Sequence, residues 1–383
     1  MGQPHNRHIL LRHERIGASP VGTRRFFAAG AIFLSLAGAA AICTAGYLYV
    51  ERSRVHMLGG MRRISLVGAY LFNPNVRRFA RVLQEHDPKA DLFSTIWDTN
   101  VGVSLSRQMF REVDMDGVRK FRYKPGLRKL GVHFRIGSLV RNVEAEDTPE
   151  LRAAAEHLLP ERIAFASYDE HGFRHVDARV SGDCERRVMF LGASFTDGLW
   201  VNDGDTFASL YGTIARERAG LRVCPVNAGV NGYGSFEERW TLEHEFESAG
   251  KPSLIFVMYF PNDVDSDYDR VMDGTLRDLD AHWKSSLDEV RRMQRFAVAH
   301  GSRLVLAAMP PVEQAFTHGP RTHYQDVVQA FASREGITFV DLYDGFLAND
   351  PHALYWSWDP HFTPAGHLVV ANVLYDASKD FLR

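Results

Sequence analysis

A hydroxyl becomes a useful nucleophile near neutral pH only when a base takes its proton, and this chain sets a serine and a histidine in places suited to that exchange. Ser194 stands in Gly192-Ala193-Ser194-Phe195-Thr196-Asp197-Gly198. His361 stands in Trp358-Asp359-Pro360-His361-Phe362-Thr363-Pro364-Ala365-Gly366-His367. An imidazole can receive the serine proton when a nearby carboxylate fixes its tautomer and stabilises the imidazolium, and Asp359 lies two residues before it. Two further stretches could donate to a developing oxyanion. Asn227-Ala228-Gly229-Val230-Asn231-Gly232-Tyr233-Gly234 is rich in glycine, so backbone around Gly232 can come close to a ligand. Phe260-Pro261-Asn262-Asp263 offers the amide of Asn262. Each stretch has a plainer reading: Ser194 as a helix cap, the glycines as a flexible turn, Asn262 as an Asx turn. Asp263 and His367 are secondary candidates, the first orienting the asparagine loop, the second one turn into a helix. No histidine–carboxylate cluster has metal-ligand spacing, so neither metal nor organic cofactor is expected.

The elements around these stretches read as an α/β fold. Apolar runs at Val188–Leu191, Leu221–Val226, Ser253–Tyr259, Arg303–Met309 and Ile337–Leu342 predict five strands, the third apolar enough to be buried on both faces. Helices are predicted from Asp205 to Ala219, with Gly220 past its end, and from a capping box at Ser235-x-x-Glu238. Others run from Asp280 to His300, from Tyr324 to Arg334 and from Pro364 onward. Alternating strand and helix argue for a parallel sheet with right-handed crossovers and helices on both faces. Ligands in such sheets bind beyond the carboxyl ends of the strands, where all four stretches fall. At the start of a helix, Ser194 would also have backbone N–H groups and the helix dipole nearby.

Ser194, Gly232, Asn262 and His361, in that order, resemble the four sequence blocks of the SGNH/GDSL hydrolase superfamily, over Arg187 to the C-terminus. The resemblance implies a flavodoxin-like three-layer α/β/α sandwich with a five-stranded parallel sheet, spanning residues 183–383. It implies that Ser194 attacks an ester carbonyl, that His361, oriented by Asp359, takes the proton, and that the Ser194 N–H, the Gly232 N–H and the Asn262 side chain hold the oxyanion. Ala193 stands where many members have aspartate, and Asp359-Pro360-His361 has one residue between acid and base where many have two. That spacing looks like a variant among bacterial envelope members, whose lead-in Asp169-Glu170-His171-Gly172-Phe173-Arg174 also resembles. If the sheet order is the family's, the first two strands are neighbours, and Cys184 and Cys224 share its amino-terminal edge at a distance a disulfide can span. The implied activity is hydrolysis of O-acyl esters on an envelope carbohydrate or lipid. Acyl transfer to an exported polysaccharide and a non-catalytic envelope scaffold are the alternatives.

The rest of the chain bears on location. With 45 basic and 47 acidic side chains the net charge is near zero, and no nucleic-acid partner is indicated. Residues 26–50 carry no charged side chain, and about 25 helical residues reach roughly 37 Å, enough to cross a bilayer. A twin-arginine export signal around Arg24-Arg25 is the competing reading, but the apolar run is long for a cleaved signal and an uncleaved anchor is expected. This divides the chain into a cytoplasmic segment 1–25, a transmembrane helix 26–50, a membrane-proximal mixed region 51–182 and a hydrolase domain 183–383. The anchor belongs in a bacterial inner membrane, with the catalytic domain on the periplasmic side. In the mixed region only two helices are legible, Val76–His86 and one opened by Thr148-Pro149-Glu150. Its many arginines, Arg77, Arg111, Arg119, Arg122 and Arg128 among them, read as a solvated basic face near the bilayer, with a polyanion-binding groove as the alternative.

Overall fold

The stretch without clear periodicity folds into antiparallel β-structure around an apolar core that also takes in Val230, Tyr233 and Trp240 from the segment downstream. The computed structural model describes residues 72–86, 109–136, 139–158, 160–180, 183–265, 268–272 and 274–382. Helix α1 (Pro74–His86) buries Val76, Phe79, Ala80 and Leu83. Strands β1 (Phe110–Met115) and β2 (Val118–Tyr123) form a hairpin that turns through Asp116 and Gly117. Both turn residues have positive φ, the conformation a two-residue hairpin loop requires. Strands β3 (Arg128–Ile136), β4 (Leu139–Glu146) and β5 (Pro160–Ser167) make an antiparallel sheet in the order β4-β3-β5. Helix α2 (Pro149–Glu156) lies between β4 and β5, with Thr148 accepting from the Leu151 N–H and proline in its first turn.

One arginine departs from the expected solvated face. Arg122 is buried, ion-paired with Glu245 at 2.5 Å and set over the ring of Phe173.

The predicted strands form the second sheet. They are β6 (Arg186–Leu191), β7 (Val223–Asn227), β8 (Leu254–Tyr259), β9 (Arg303–Ala308) and β10 (Thr338–Asp341), all parallel, in the order β10-β9-β8-β6-β7. The intervening helices are α3 (Ser194–Asp197), α4 (Phe207–Ala219), α5 (Ser235–Glu245), α6 (Tyr268–Met272), α7 (Leu279–Ala299), α8 (Val312–Thr317), α9 (His323–Glu335), α10 (Tyr343–Leu347), α11 (Pro351–Leu354) and α12 (Pro364–Ser378). Alternate strand residues feed two cores. Val188, Phe190, Phe256, Met258 and Val305 pack with α4 and α12, while Met189, Leu191, Ile255, Val257 and Leu306 pack with α5, α7 and α9. One expected cap shifts by a residue. Glu237, not Glu238, accepts from the backbone N–H at the start of α5, that of Gly234, and Glu238 is buried instead.

Among the described residues no helix is long and apolar enough to cross a membrane, and the expected span 26–50 lies outside them.

Strands β6 and β7 are neighbours, and Cys184 and Cys224 are joined at their amino-terminal ends with Cα atoms 5.5 Å apart. The bond closes a loop of 40 residues, for which chain entropy gives about 4 kcal/mol of stabilisation. Reduction and alkylation should therefore add two labels beyond any taken up without reduction. Cys184→Ser should lower the melting temperature while leaving turnover per folded molecule near wild type, because the bond lies at the end of the sheet opposite Ser194. Loss of turnover in a folded variant would contradict that placement.

Candidate active site

The strand order decides where a ligand can enter. Chain connections from β6 go to β7 on one side and those from β8 go to β9 on the other, so the loops at their carboxyl ends diverge and leave a crevice. Ser194 follows β6 and Asn262 follows β8, while Gly232 follows β7 on the outer side of β6.

Three of the predicted residues meet at hydrogen-bonding distance. The Ser194 Oγ is 2.7 Å from His361 Nε2, and His361 Nδ1 is 2.5 Å from Asp359 Oδ1. A carboxylate can only accept, so Nδ1 carries the ring proton and Nε2 keeps a lone pair facing the serine hydroxyl. The same Oδ1 accepts from the His361 backbone N–H at 2.9 Å. Burial pushes the Asp359 carboxyl up. The His361 imidazole, through its charge and its Nδ1–H, and the His361 backbone N–H more than offset this and hold it below the usual carboxylate range. His361 and Asp359 each keep 14% of their side-chain exposure, so the cluster is open to a ligand. The ring of Phe195 packs 4.6 Å from that of His361 and fixes its other face.

The turn that carries Ser194 is only four residues long, which leaves it almost no macrodipole; any help to an oxyanion comes from individual N–H groups. As the first residue of α3, Ser194 has an N–H with no intrahelical partner. Gly232 is exposed at φ +79° beside Phe121. An Asx turn at Asn262 would need its Oδ1 to accept a backbone N–H, and that oxygen makes no hydrogen bond. Asp263 closes the turn instead, accepting from the Phe260 N–H at 2.6 Å. The glycine loop approaches Ser194 through Gly229, where a Cβ would lie 2.2 Å from the backbone nitrogen of Asp197. Asn227 ties the two loops together, its Nδ2 donating to the Thr196 carbonyl at 2.8 Å.

His367 takes no part in this cluster. It is buried, and its Nδ1 accepts from the Phe207 N–H at 3.2 Å. Burial, with Arg174 and His361 nearby, lowers its pKa to about 3.

Several neighbours had no signal in the sequence beyond proximity. Trp200 has φ +68°, an unfavourable region for a bulky residue. Arg162 donates to its carbonyl at 3.2 Å, its ring meets Trp358 edge-on at 5.3 Å, and a Cβ on Gly131 would sit 3.2 Å from it. His133 stacks on Trp358 with ring centroids 3.5 Å apart.

Residues 190–369 match the family model described as GDSL-like Lipase/Acylhydrolase family. No curated protein matches the chain. Among solved structures, the chain is similar to LAE5, an alpha/beta hydrolase enzyme from the metagenome of Lake Arreo, at 21% identity and TM-score 0.41, covering 52% of this chain and 97% of that one. It is similar to Axe2, an acetylxylan esterase from Geobacillus stearothermophilus, at 20% identity and TM-score 0.40, covering 51% and 94%. TesA matches at 18% identity and TM-score 0.41, covering 52% and 100%.

The burial of His367 has a consequence for acid stability. Its folded pKa lies below that of an unfolded histidine, so between about pH 6.5 and 3 the unfolded chain binds the extra proton and stability falls as pH falls. At most about 1.4 kcal/mol is lost per pH unit. Urea unfolding between pH 6 and pH 4.5 should show this slope in wild type and a shallower one in His367→Gln. Equal slopes would mean that His367 is protonated in the folded state.

Proposed function

From the premise that residues 190–369 form a GDSL-like lipase/acylhydrolase domain and that the chain is an ester-hydrolysing enzyme, we propose that Ser194, His361 and Asp359 are its catalytic triad, acting on O-acyl groups of an envelope carbohydrate or lipid. The observation that carries this reading is the unbroken relay from Asp359 Oδ1 through both ring nitrogens of His361 to the Ser194 Oγ.

Ser194 Oγ attacks the ester carbonyl carbon as His361 Nε2 takes its proton, and Asp359 stabilises the imidazolium. The carbonyl π pair moves onto oxygen, where the Ser194 N–H, the Gly232 N–H and the Asn262 amide receive it. Collapse expels the alcohol, which leaves with the proton from Nε2, and an acyl-serine remains. Water, deprotonated by the same imidazole, releases the acid and restores the serine. Residues 26–50 would anchor the domain at a bacterial inner membrane on its periplasmic face. The Cys184–Cys224 bond supports that location, since disulfides persist in oxidising compartments.

A fluorophosphonate probe should label the wild-type chain and fail on Ser194→Ala. Unlabelled wild type would end the triad reading. Asn262→Ala should lower turnover by about 10²–10³ with little change in KM for a chromogenic acetyl ester. Run with oligosaccharides present, the same assay tests the acceptor, and acetylated sugar appearing faster than free acetate would replace hydrolysis by acyl transfer.

A further inference from the structure

The most deeply buried charges that the proposed chemistry leaves unused surround Asp197, three residues beyond Ser194 in the same one-turn helix. Asp197 has no exposed surface. Its Oδ1 accepts from the Tyr168 hydroxyl at 2.6 Å, and its Oδ2 accepts from the Tyr123 hydroxyl and the Lys129 ammonium, each at 3.0 Å. Arg174 completes the brace, Nη1 donating to the carbonyls of Asp197 and Gly198 and Nη2 to that of Val201. Burial pushes the Asp197 carboxyl up, but Lys129, Arg174 and Tyr168 bring it below the usual range, so it stays ionised.

A four-residue helix has almost no stability of its own, so its place is set by what holds it. A buried carboxylate is confined to the spot where its donors are fixed. Those donors are fixed from outside the GDSL-like segment 190–369, by β2, β3 and the stretch Tyr168–Arg174. We propose that Lys129 is a positioning residue for catalysis: by neutralising Asp197 from the upstream sheet, it holds the turn that aims the Ser194 Oγ at His361. Lys129 touches neither substrate nor reacting atoms, and the inference rests on the triad reading above.

The charged and titratable groups facing Lys129 include Asp197 from α3, Glu144 from β4 at 3.5 Å, Tyr123 from β2, and Tyr168 and Arg174 from the stretch after β5. Glu144 also feels the charge of His361. A lysine that only stabilised the fold would change the fraction folded and leave kcat per folded molecule unchanged, so the split of kcat against KM separates the two roles.

The test compares the full-length wild type, Lys129→Met and the charge-neutral pair Lys129→Met/Asp197→Asn, using a chromogenic acetyl ester and thermal unfolding. Both variants are expected to be folded at the assay temperature, with kcat per folded molecule down about 10- to 100-fold and KM within about twofold. Wild-type kcat in either folded variant overturns the inference. So does failure of both variants to fold, which would make the pair a requirement for folding. A wild type inert to both ester and fluorophosphonate fails the triad reading and takes this inference with it, whereas an active wild type with active variants sinks this inference alone.

Discussion

A carboxylate sealed from water three residues past Ser194 imposes a constraint that reaches well beyond its own turn. Ionised, it must be met by donors fixed in place, because leaving one partner of a buried pair alone costs about 3–5 kcal/mol. Exposed pairs such as Lys251–Glu247 are worth at most about 1 kcal/mol and constrain little. The donors to Asp197 come from outside the sheet that carries Ser194: Tyr123 from β2, Lys129 from β3 and Tyr168 from just beyond β5. One buried charge thus binds an antiparallel and a parallel sheet into a single arrangement.

Upstream contacts also hold two of the other loops that carry candidate residues. Loops at strand ends carry function but are ordinarily the mobile part of a fold. Here the glycine loop is held by the Tyr233 hydroxyl, which donates to the Phe121 carbonyl at 2.5 Å, and by Asn227 on Thr196. The histidine loop is held by His133 stacked on Trp358, and the segment after Ser194 by Arg162 on the Trp200 carbonyl. Phe121, His133 and Arg162 all belong to the upstream β-structure. Donors aimed at a developing charge are effective when they need not reorganise, and these contacts limit reorganisation.

That division explains what was legible. Strand β8 is apolar throughout because both its faces are covered, and α7 repeats its apolar residues at helical spacing, so both could be read in one dimension. Three of the four loops stood out because they follow such strands, whereas the histidine loop follows β10 only after two short helices, α10 and α11. The upstream sheet could not be read because its inward positions include Arg122, Lys129 and His133, which obscure the alternation of a half-buried strand. Their partners lie far along the chain, Glu245 and Asp197 among them, and a buried ion pair leaves no mark in local spacing. The lead-in Asp169–Arg174 was visible as a pattern, yet nothing in it announced that Arg174 would hold three carbonyls beside the serine.

The unusual spacing of acid and base also has a physical account. With one residue between them, the Asp359 side chain can accept from the backbone N–H two residues on, which is an Asx turn, and it does so through Oδ1 at 2.9 Å. The same oxygen takes the ring Nδ1–H at 2.5 Å. Backbone and imidazole are thereby referred to one atom, and Pro360 between them has a fixed φ that removes a further degree of freedom. A longer spacing would have to set the loop and the ring by separate contacts. In Asp359-Pro360-His361 the turn that brings the histidine to the serine is closed by the same carboxylate that fixes its tautomer, so one atom sets both the loop and the ring beside Ser194.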